Sequence, residues 1–274
     1  MTTTLRPTEP LQREADGGCS RRYQVCVNSR PAGSIHLATN PTFGDSVAKI
    51  LDLHIDERDR RRGRATVAAL AAEEVARGWG CRRLEVAVPG DAPAALRLAT
   101  ALGYVLRNRH MEKALGAGPP ELPAGSRGRP MTQAEFVVWD AAGRLSYAQS
   151  WIERGMPPAE AHAKAARDHE QLLPRGVASE GMTLSVLEHE GTRVGTLWLG
   201  SRENVSFVYD VLIDEDHRGR GHGRTLMLLA EAQSIAGGRP DIFLNVFAGN
   251  SPAERLYESL GYATVTHHMY KDLL

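Results

Sequence analysis

At 274 residues, 42% hydrophobic and 24% charged, the chain has the balance of a folded protein and the length of two domains, which excludes disordered and fibrous chains. Lys+Arg and Asp+Glu number 33 each, so no net charge is available to gather nucleic acid or an anionic membrane at long range. Cys19, Cys26 and Cys81 form no CxxC pair, which argues against a disulfide framework and against a tetrahedral zinc site.

The opening stretch, MTTTLRPTEPLQREADGG, has no apolar core of a signal peptide and no pattern that predicts an element. No apolar run approaches the roughly 20 residues that span a bilayer, so the expectation is a cytoplasmic chain without a membrane partner. Only Lys49, Lys113, Lys164 and Lys271 are lysines among the basic residues. An arginine excess so evenly spread reads as composition rather than as phosphate recognition.

The chain repeats itself. A shift of 158 places Asp52, Ile55, Asp56, Glu57, Arg60, Arg62 and Gly63 on Asp210, Ile213, Asp214, Glu215, Arg218, Arg220 and Gly221. The same register carries Leu102-Gly103-Tyr104 onto Leu260-Gly261-Tyr262, and His110, Met111, Lys113 and Leu115 onto His268, Met269, Lys271 and Leu273. One ungapped register over this length predicts two copies of one domain. The stretch 116–130, GAGPPELPAGSRGRP, is too rich in Gly and Pro to build a core and reads as a linker. The expected division is therefore 1–115, linker 116–130, and 131–274. The second copy begins with two helical patterns between Met131 and Leu173, for which the first copy has no room, so the first is a truncated copy.

Beyond them the second copy reads as a β-hairpin, Thr183–His189 and Arg193–Leu199 around Glu190-Gly191, then a strand from Val205 to Ile213. A helix from near Gly223 stops at Gly237-Gly238, and strand Ile242–Phe247, helix Ser251–Leu260 and strand Thr264–Lys271 close the copy.

Between the third strand and the next helix lies Arg218-Gly219-Arg220-Gly221-His222-Gly223. Three glycines in six residues permit positive φ, so backbone N–H groups can converge, and the helix that follows adds its partial positive charge; together they make a phosphate cradle. The spacing fits neither a Walker A loop nor the GxGxxG dinucleotide fingerprint.

With Val211-Leu212-Ile213-Asp214 before this loop and Asn250-Ser251-Pro252-Ala253-Glu254-Arg255-Leu256-Tyr257-Glu258-Ser259-Leu260-Gly261-Tyr262 after it, the chain resembles the GCN5-related N-acetyltransferase family. That family's signature is Arg/Gln-x-x-Gly-x-Gly/Ala, an Asn near the start of the next helix and a Tyr before a Gly-Tyr/Phe. The resemblance is full over 131–274 and partial over 21–115. It implies an α/β (α+β) fold of two domains, each a mixed twisted sheet flanked by helices and splayed between its fourth and fifth strands. It also implies acetyl-CoA as co-substrate, with Val211, Leu212, Ile213, Arg218, Gly219, Arg220, Gly221, His222, Gly223, Arg224 and Asn250 holding it; the amides of Arg220 to Gly223 would meet the pyrophosphate, and Asn250 contacts the cofactor, N-caps the helix, or does both. A backbone N–H near Val211 or Leu212 would face the thioester oxygen, and Tyr257 would protonate the departing thiolate; the alternative for Tyr257 is a core tyrosine before the Leu-Gly-Tyr helix end. Asp210, an acid on the strand before the cradle, is the candidate base; it can also bind the ammonium, act through water, or serve structure alone.

The first copy keeps the cradle spacing in Arg60-Arg61-Arg62-Gly63-Arg64-Ala65, but Ala92 stands at the position of Asn250 and Ala99 at that of Tyr257. It reads as degenerate. The implied function is transfer of an acetyl group to a small-molecule or protein amine by direct attack in a ternary complex; the alternative is a non-catalytic acyl-CoA-binding protein. RNA binding through Arg58–Arg64 is disfavoured by the neutral total charge. A homodimer is compatible with the pattern. His267 and His268 fall on opposite faces of a strand and no HExxH spacing occurs, so no metal is expected. The helical pair would wall the acceptor site, with Trp151, Glu153 and Glu160 either substrate contacts or plain helix surface.

Overall fold

The computed structural model describes residues 2–14, 17–40, 44–153 and 155–273. In chain order it contains strands β1 (Thr3–Pro7), β2 (Gln12–Arg13), β3 (Cys19–Val27), β4 (Arg30–Asn40) and β5 (Gly44–Ile55), helix α1 (Arg64–Gly78), β6 (Arg83–Pro89), α2 (Pro93–Ala101) and β7 (Val105–Ala114). There follow β8 (Ser126–Pro130), helices α3 (Gln133–Ile152) and α4 (Pro158–Leu172), strands β9 (Met182–His189), β10 (Thr192–Arg202) and β11 (Val205–Ile213), α5 (His222–Ala236), β12 (Asp241–Phe247), α6 (Ser251–Ser259) and β13 (Ala263–Asp272). The fold is the mixed α/β arrangement of strands and flanking helices, present twice, that the sequence predicts.

Local chemistry explains the boundaries. Thr132 and Glu135 form a reciprocal capping box that starts α3, and Pro158 opens α4. Glu190 and Gly191 both adopt positive φ, 50° and 80°, the combination that a two-residue hairpin turn requires between β9 and β10. No helix is long and apolar enough to cross a membrane among the described residues.

The chain divides into two compact units, one built from residues up to Met111, Val246–Ser251 and those from Thr264 on, the other from Glu112–Asn245 and Pro252–Ala263. In the first unit the strand order is β1-β3-β4-β5-β6-β13-β7, with β2 on β3. Strand β1 falls in the opening stretch for which no element is predicted, and pairs antiparallel with β3 from Thr3↔Val27 to Pro7↔Tyr23. Val25, Ile35, Leu37 and Leu84 pack with Met269 and the alanines Ala68, Ala72 and Ala76 of α1 to make the core.

The last strand of the second copy thus completes the first unit: β13 runs antiparallel to β6, from Thr266↔Pro89 to Asp272↔Arg83. Its Lys271 Nζ donates to both carboxylate oxygens of buried Glu73 at 2.8 Å and lies 5.9 Å from the centre of the Tyr104 ring. In the second unit Lys113 takes both oxygens of buried Glu231 at 2.8 Å and lies 5.6 Å from the Tyr262 ring. Lys113 and Lys271 are repeat equivalents, as are Glu73 and Glu231. Each lysine therefore pairs with the glutamate of the other copy.

In the second unit the order is β12-β11-β10-β9-β8. Strand β8 lies inside the stretch read as linker and pairs with β9 from Ser126↔His189 to Pro130↔Ser185. Arg127 and Arg129 fix it through Glu188, at 2.7 Å each. Gly128 gives Leu229 room against the strand, since a Cβ there would sit 2.5 Å from the Leu229 Cδ1 and displace that side chain. Met131, Trp139, Leu173, Leu184, Val186 and Trp198 form the core under α3 and α4. The first unit has no counterpart of that helix pair among the described residues.

Candidate active site

Strand β11 changes course where the candidate chemistry lies. Against β10 its register slips between Trp198↔Asp210 and Leu199↔Val208, so Tyr209 is an extra residue, a β-bulge. Its parallel ladder with β12 covers Val205–Val208 against Asp241–Leu244 and goes no further. Asp210, Val211, Leu212 and Ile213 lie beyond its end, at the split expected between the fourth and fifth strands. The first copy repeats the device: β4 and β5 slip between His36↔Asp52 and Leu37↔Ile50, and the β5–β6 ladder ends at Ile50↔Val86.

The cradle follows β11. Gly219 and Gly221 have φ of 75° and 87°, left-handed values that glycine adopts without strain. A Cβ at either would meet no atom within 4 Å, so the loop borders open space. Gly221 is the N-cap of the 15-residue α5, and no side chain caps that helix. An anion of phosphate size fits such an end, because its uncapped N–H groups and partial positive charge point outward. Arg218 is tied down by Ile213 O, 3.3 Å from its Nε, and by the Glu215 carboxylate at 3.3 Å. Arg220 is exposed, and Arg224 donates to Ser259 Oγ at 2.5 Å.

The His222 ring is buried, 5.0 Å from the His189 ring, and burial, with His189, His217 and Arg220 nearby, lowers its pKa. The group through which His222 and Gly223 could meet a phosphate is the backbone amide, and the missing side chain of Gly223 lets α5 approach Leu256 of α6. Asn250 is exposed immediately before α6, and its amide donates to Phe247 O at 3.3 Å.

Tyr257 is buried on α6 with its ring 6.0 Å from that of Tyr262. Burial, reinforced by the charge of Asp210, pushes its phenol up to about 12. Asp210 is half-buried, and burial pushes its carboxyl up to about 6 against the opposing hydrogen bond from the Val211 amide. The structure therefore brings Asp210 and Tyr257 within electrostatic reach of each other. It turns the Val211 amide toward the carboxylate, which leaves Leu212 and Ile213 as the further backbone donors of this segment.

An aromatic wall on the same sheet face escapes the sequence reading. Trp198 stacks on Tyr209 at 4.8 Å between ring centres and meets Trp139 edge-on at 5.5 Å. The Tyr209 ring lies over Gly200, whose Cβ would fall 2.4 Å from it, and its hydroxyl accepts from Arg202 at 2.8 Å. Behind them His169 Nδ1 and Asp140 are 2.7 Å apart and join α4 to α3. The visible signal was the alternation Thr196, Trp198, Gly200 along β10. Of the helix residues named from sequence, Trp151 packs edge-on against Tyr147, while Glu153 and Glu160 are exposed.

In the first copy the loop backbone survives. Arg61 at φ 57° takes the place of Gly219 and Gly63 at φ 72° that of Gly221. Ala99 is buried where Tyr257 stands in the second copy, and Asp52 is exposed.

The family model for the acetyltransferase (GNAT) family matches residues 2–104 and 147–262. The chain belongs to the GCN5-related N-acetyltransferase family, in tandem form, and is an acetyltransferase. Among its relatives, a mycothiol acetyltransferase of Saccharomonospora viridis is 28% identical over 95% of this chain and 86% of its own. One of Cellulomonas flavigena is 28% identical over 83% and 68%. The uncharacterized N-acetyltransferase YdgE of Bacillus subtilis, 28% identical, matches 52% of this chain and 95% of its own length. Among solved structures, a GCN5-related N-acetyltransferase from Sphaerobacter thermophilus shares the fold, with a TM-score of 0.57 at 19% identity over 92% of this chain and 80% of that one.

Proposed function

We propose that the chain transfers an acetyl group from acetyl-CoA to a primary amine by direct attack in a ternary complex, at one site formed around Asp210 and Tyr257. The observation that carries this reading is that these two groups share a desolvated setting beside an open cradle, while the copy with Ala99 and exposed Asp52 has none. The thioester supplies an activated acyl carbon. The backbone amides from Arg220 to Gly223, flanked by Arg218 and Arg224, would hold the diphosphate. The segment Val211–Ile213 would orient the acyl group, its Leu212 or Ile213 amide facing the carbonyl oxygen.

The amine nitrogen attacks the carbonyl carbon, the C–S bond breaks, the amine loses a proton and the sulfur gains one. Asp210, directly or through a water, receives the amine's proton; with a pKa near 6 it is a better base than an ordinary aspartate. Tyr257 is fully protonated at neutral pH and gives its proton to the sulfur. The two steps reinforce one another, because a protonated Asp210 no longer raises Tyr257. The acceptor is a small-molecule or protein amine, and relatives named for mycothiol put small molecules first. The deciding test is thiol release from acetyl-CoA with a panel of amines, beside titration calorimetry. Turnover with one acceptor class and a single high-affinity acetyl-CoA site are expected; binding without turnover by any amine supports the acyl-CoA-binding alternative.

A further inference from the structure

Among the described residues the first unit has no helix pair over the sheet face that α3 and α4 cover in the second, and the chemistry of that face is different. Across β3, β4 and β5 the register sets Arg22 opposite His36 and His36 opposite Asp52, with Gln24 opposite Ser34. Residues two apart or directly opposite share a face, so all five lie on one surface. The pair His36↔Asp52 corresponds to Trp198↔Asp210, so polar groups occupy the place of the aromatic wall. A cavity of about 130 Å³ opens here; Arg22, Gln24, Ser34 and Asp52 line it together with Thr8, and Tyr23, Gly33 and Ile35 complete its walls.

The charges are arranged in order. Arg22 and Asp52 stand two strands apart, about 10 Å between backbones, with His36 between them. Burial and the Arg22 charge lower the His36 pKa, which leaves the middle of the row neutral near pH 7. Glu9, whose Oε1 accepts from the Arg22 amide at 3.2 Å, lies beyond the arginine end. Such a row repels a simple anion at Asp52 and a simple cation at Arg22. A molecule with both charges satisfies the two ends at once.

We propose that this face of the first unit binds a small zwitterion of amino-acid type, its carboxylate on Arg22, its ammonium on Asp52, and Gln24 and Ser34 hydrogen-bonding between them. The cavity, roughly four waters' share of liquid volume, suits a molecule of a few heavy atoms rather than a nucleotide. The site is independent of acetyl transfer. The test is a thermal-shift titration of the full chain with glycine, alanine and serine, using acetate and methylamine as single-charge halves. At a hundredfold excess over Kd, a zwitterion should raise Tm by about 5–10 °C. The rise should be absent with either half and in Arg22→Gln and Asp52→Asn, and intact in Asp210→Asn. Arg22 and Asp52 are exposed, so both variants should melt near wild type when unliganded. No rise with any zwitterion, an equal rise with the halves, or a rise kept in Asp52→Asn and lost in Asp210→Asn would overturn the assignment.

Discussion

Asp210 and Tyr257 each hold a proton more tightly than they would in water, and burial is the main cause for both. For Asp210 the pKa moves from 3.8 to about 6, so the folded state binds a proton that the unfolded chain has released across that window. Stability then falls as pH rises through it, and above it the fold carries the cost of a desolvated carboxylate. Asp210→Asn should accordingly raise Tm above pH 6 and change it little below pH 4, which melting curves across pH will show. Activity should move the other way: thiol release by the wild type should rise with pH through about 6, and the variant should lose both the rise and most of the rate. Tyr257→Phe keeps the buried ring and removes one proton. Turnover should fall by about 10²–10⁴, nearer the lower end because a thiol pKa of about 8.5 makes a tolerable leaving group, with Tm and acetyl-CoA affinity nearly unchanged. Ala99→Tyr should restore no activity to the first copy, which also lacks the asparagine position and the helix pair.

At the level of elements, the loop into α5 and the loop into α1 have the same backbone with different side chains. Gly219 and Arg61 both sit at left-handed φ, so the first copy accepts the strain of an arginine there to keep the turn. The cradle is therefore a property of the strand–turn–helix geometry, and its use depends on what surrounds it. Gly221→Asp tests this use. The side chain meets open space, so folding loses only the modest strain of a left-handed aspartate. The carboxylate, however, enters the space meant for diphosphate. Repulsion and lost amide contacts should weaken acetyl-CoA binding by about 2–4 kcal/mol, seen in calorimetry as a roughly 30- to 900-fold rise in Kd with a small change in Tm. An acetyl-CoA-dependent rise in Tm equal to wild type would remove the cradle from the site.

For the whole molecule, the first unit takes its strand β13 from the second copy, and the second unit takes Lys113 from the end of the first. The two lysine–glutamate pairs hold this exchange: each glutamate is buried, and removing its lysine leaves a buried charge unpaired, typically at a cost of 3–5 kcal/mol. Removing residues 264–274 strips β13 from β6 and Lys271 from Glu73. Hydrogen exchange should then show lost protection at β6 and α1 of the first unit, with β9–β11 and the Lys113–Glu231 pair of the second unit still protected. Unexchanged copies would give the opposite pattern.

The sequence by itself determined the repeat, the family, the strands and helices of the second copy that it named, to within three residues at every end, and the loop–helix that makes the cradle. Those features are local: hydrophobic period, glycine placement and an ungapped register over Asp52–Leu115 are all written along the chain. Strand β8 was illegible because Ser126–Pro130 holds its place through Arg127, Arg129 and a glycine fitted to Leu229, contacts made only with distant residues. Strand β1 was illegible for the same kind of reason, since Thr3–Pro7 is ordered by β3. The exchange was illegible for a deeper one. Lys113 and Lys271 occupy equivalent strands with nearly equivalent neighbours, so either could complete either copy, and only the tertiary structure decides which glutamate each one meets. The same holds at the site, where a carboxylate near pKa 6 is a consequence of burial beside a β-bulge, and burial is a property of the folded chain alone.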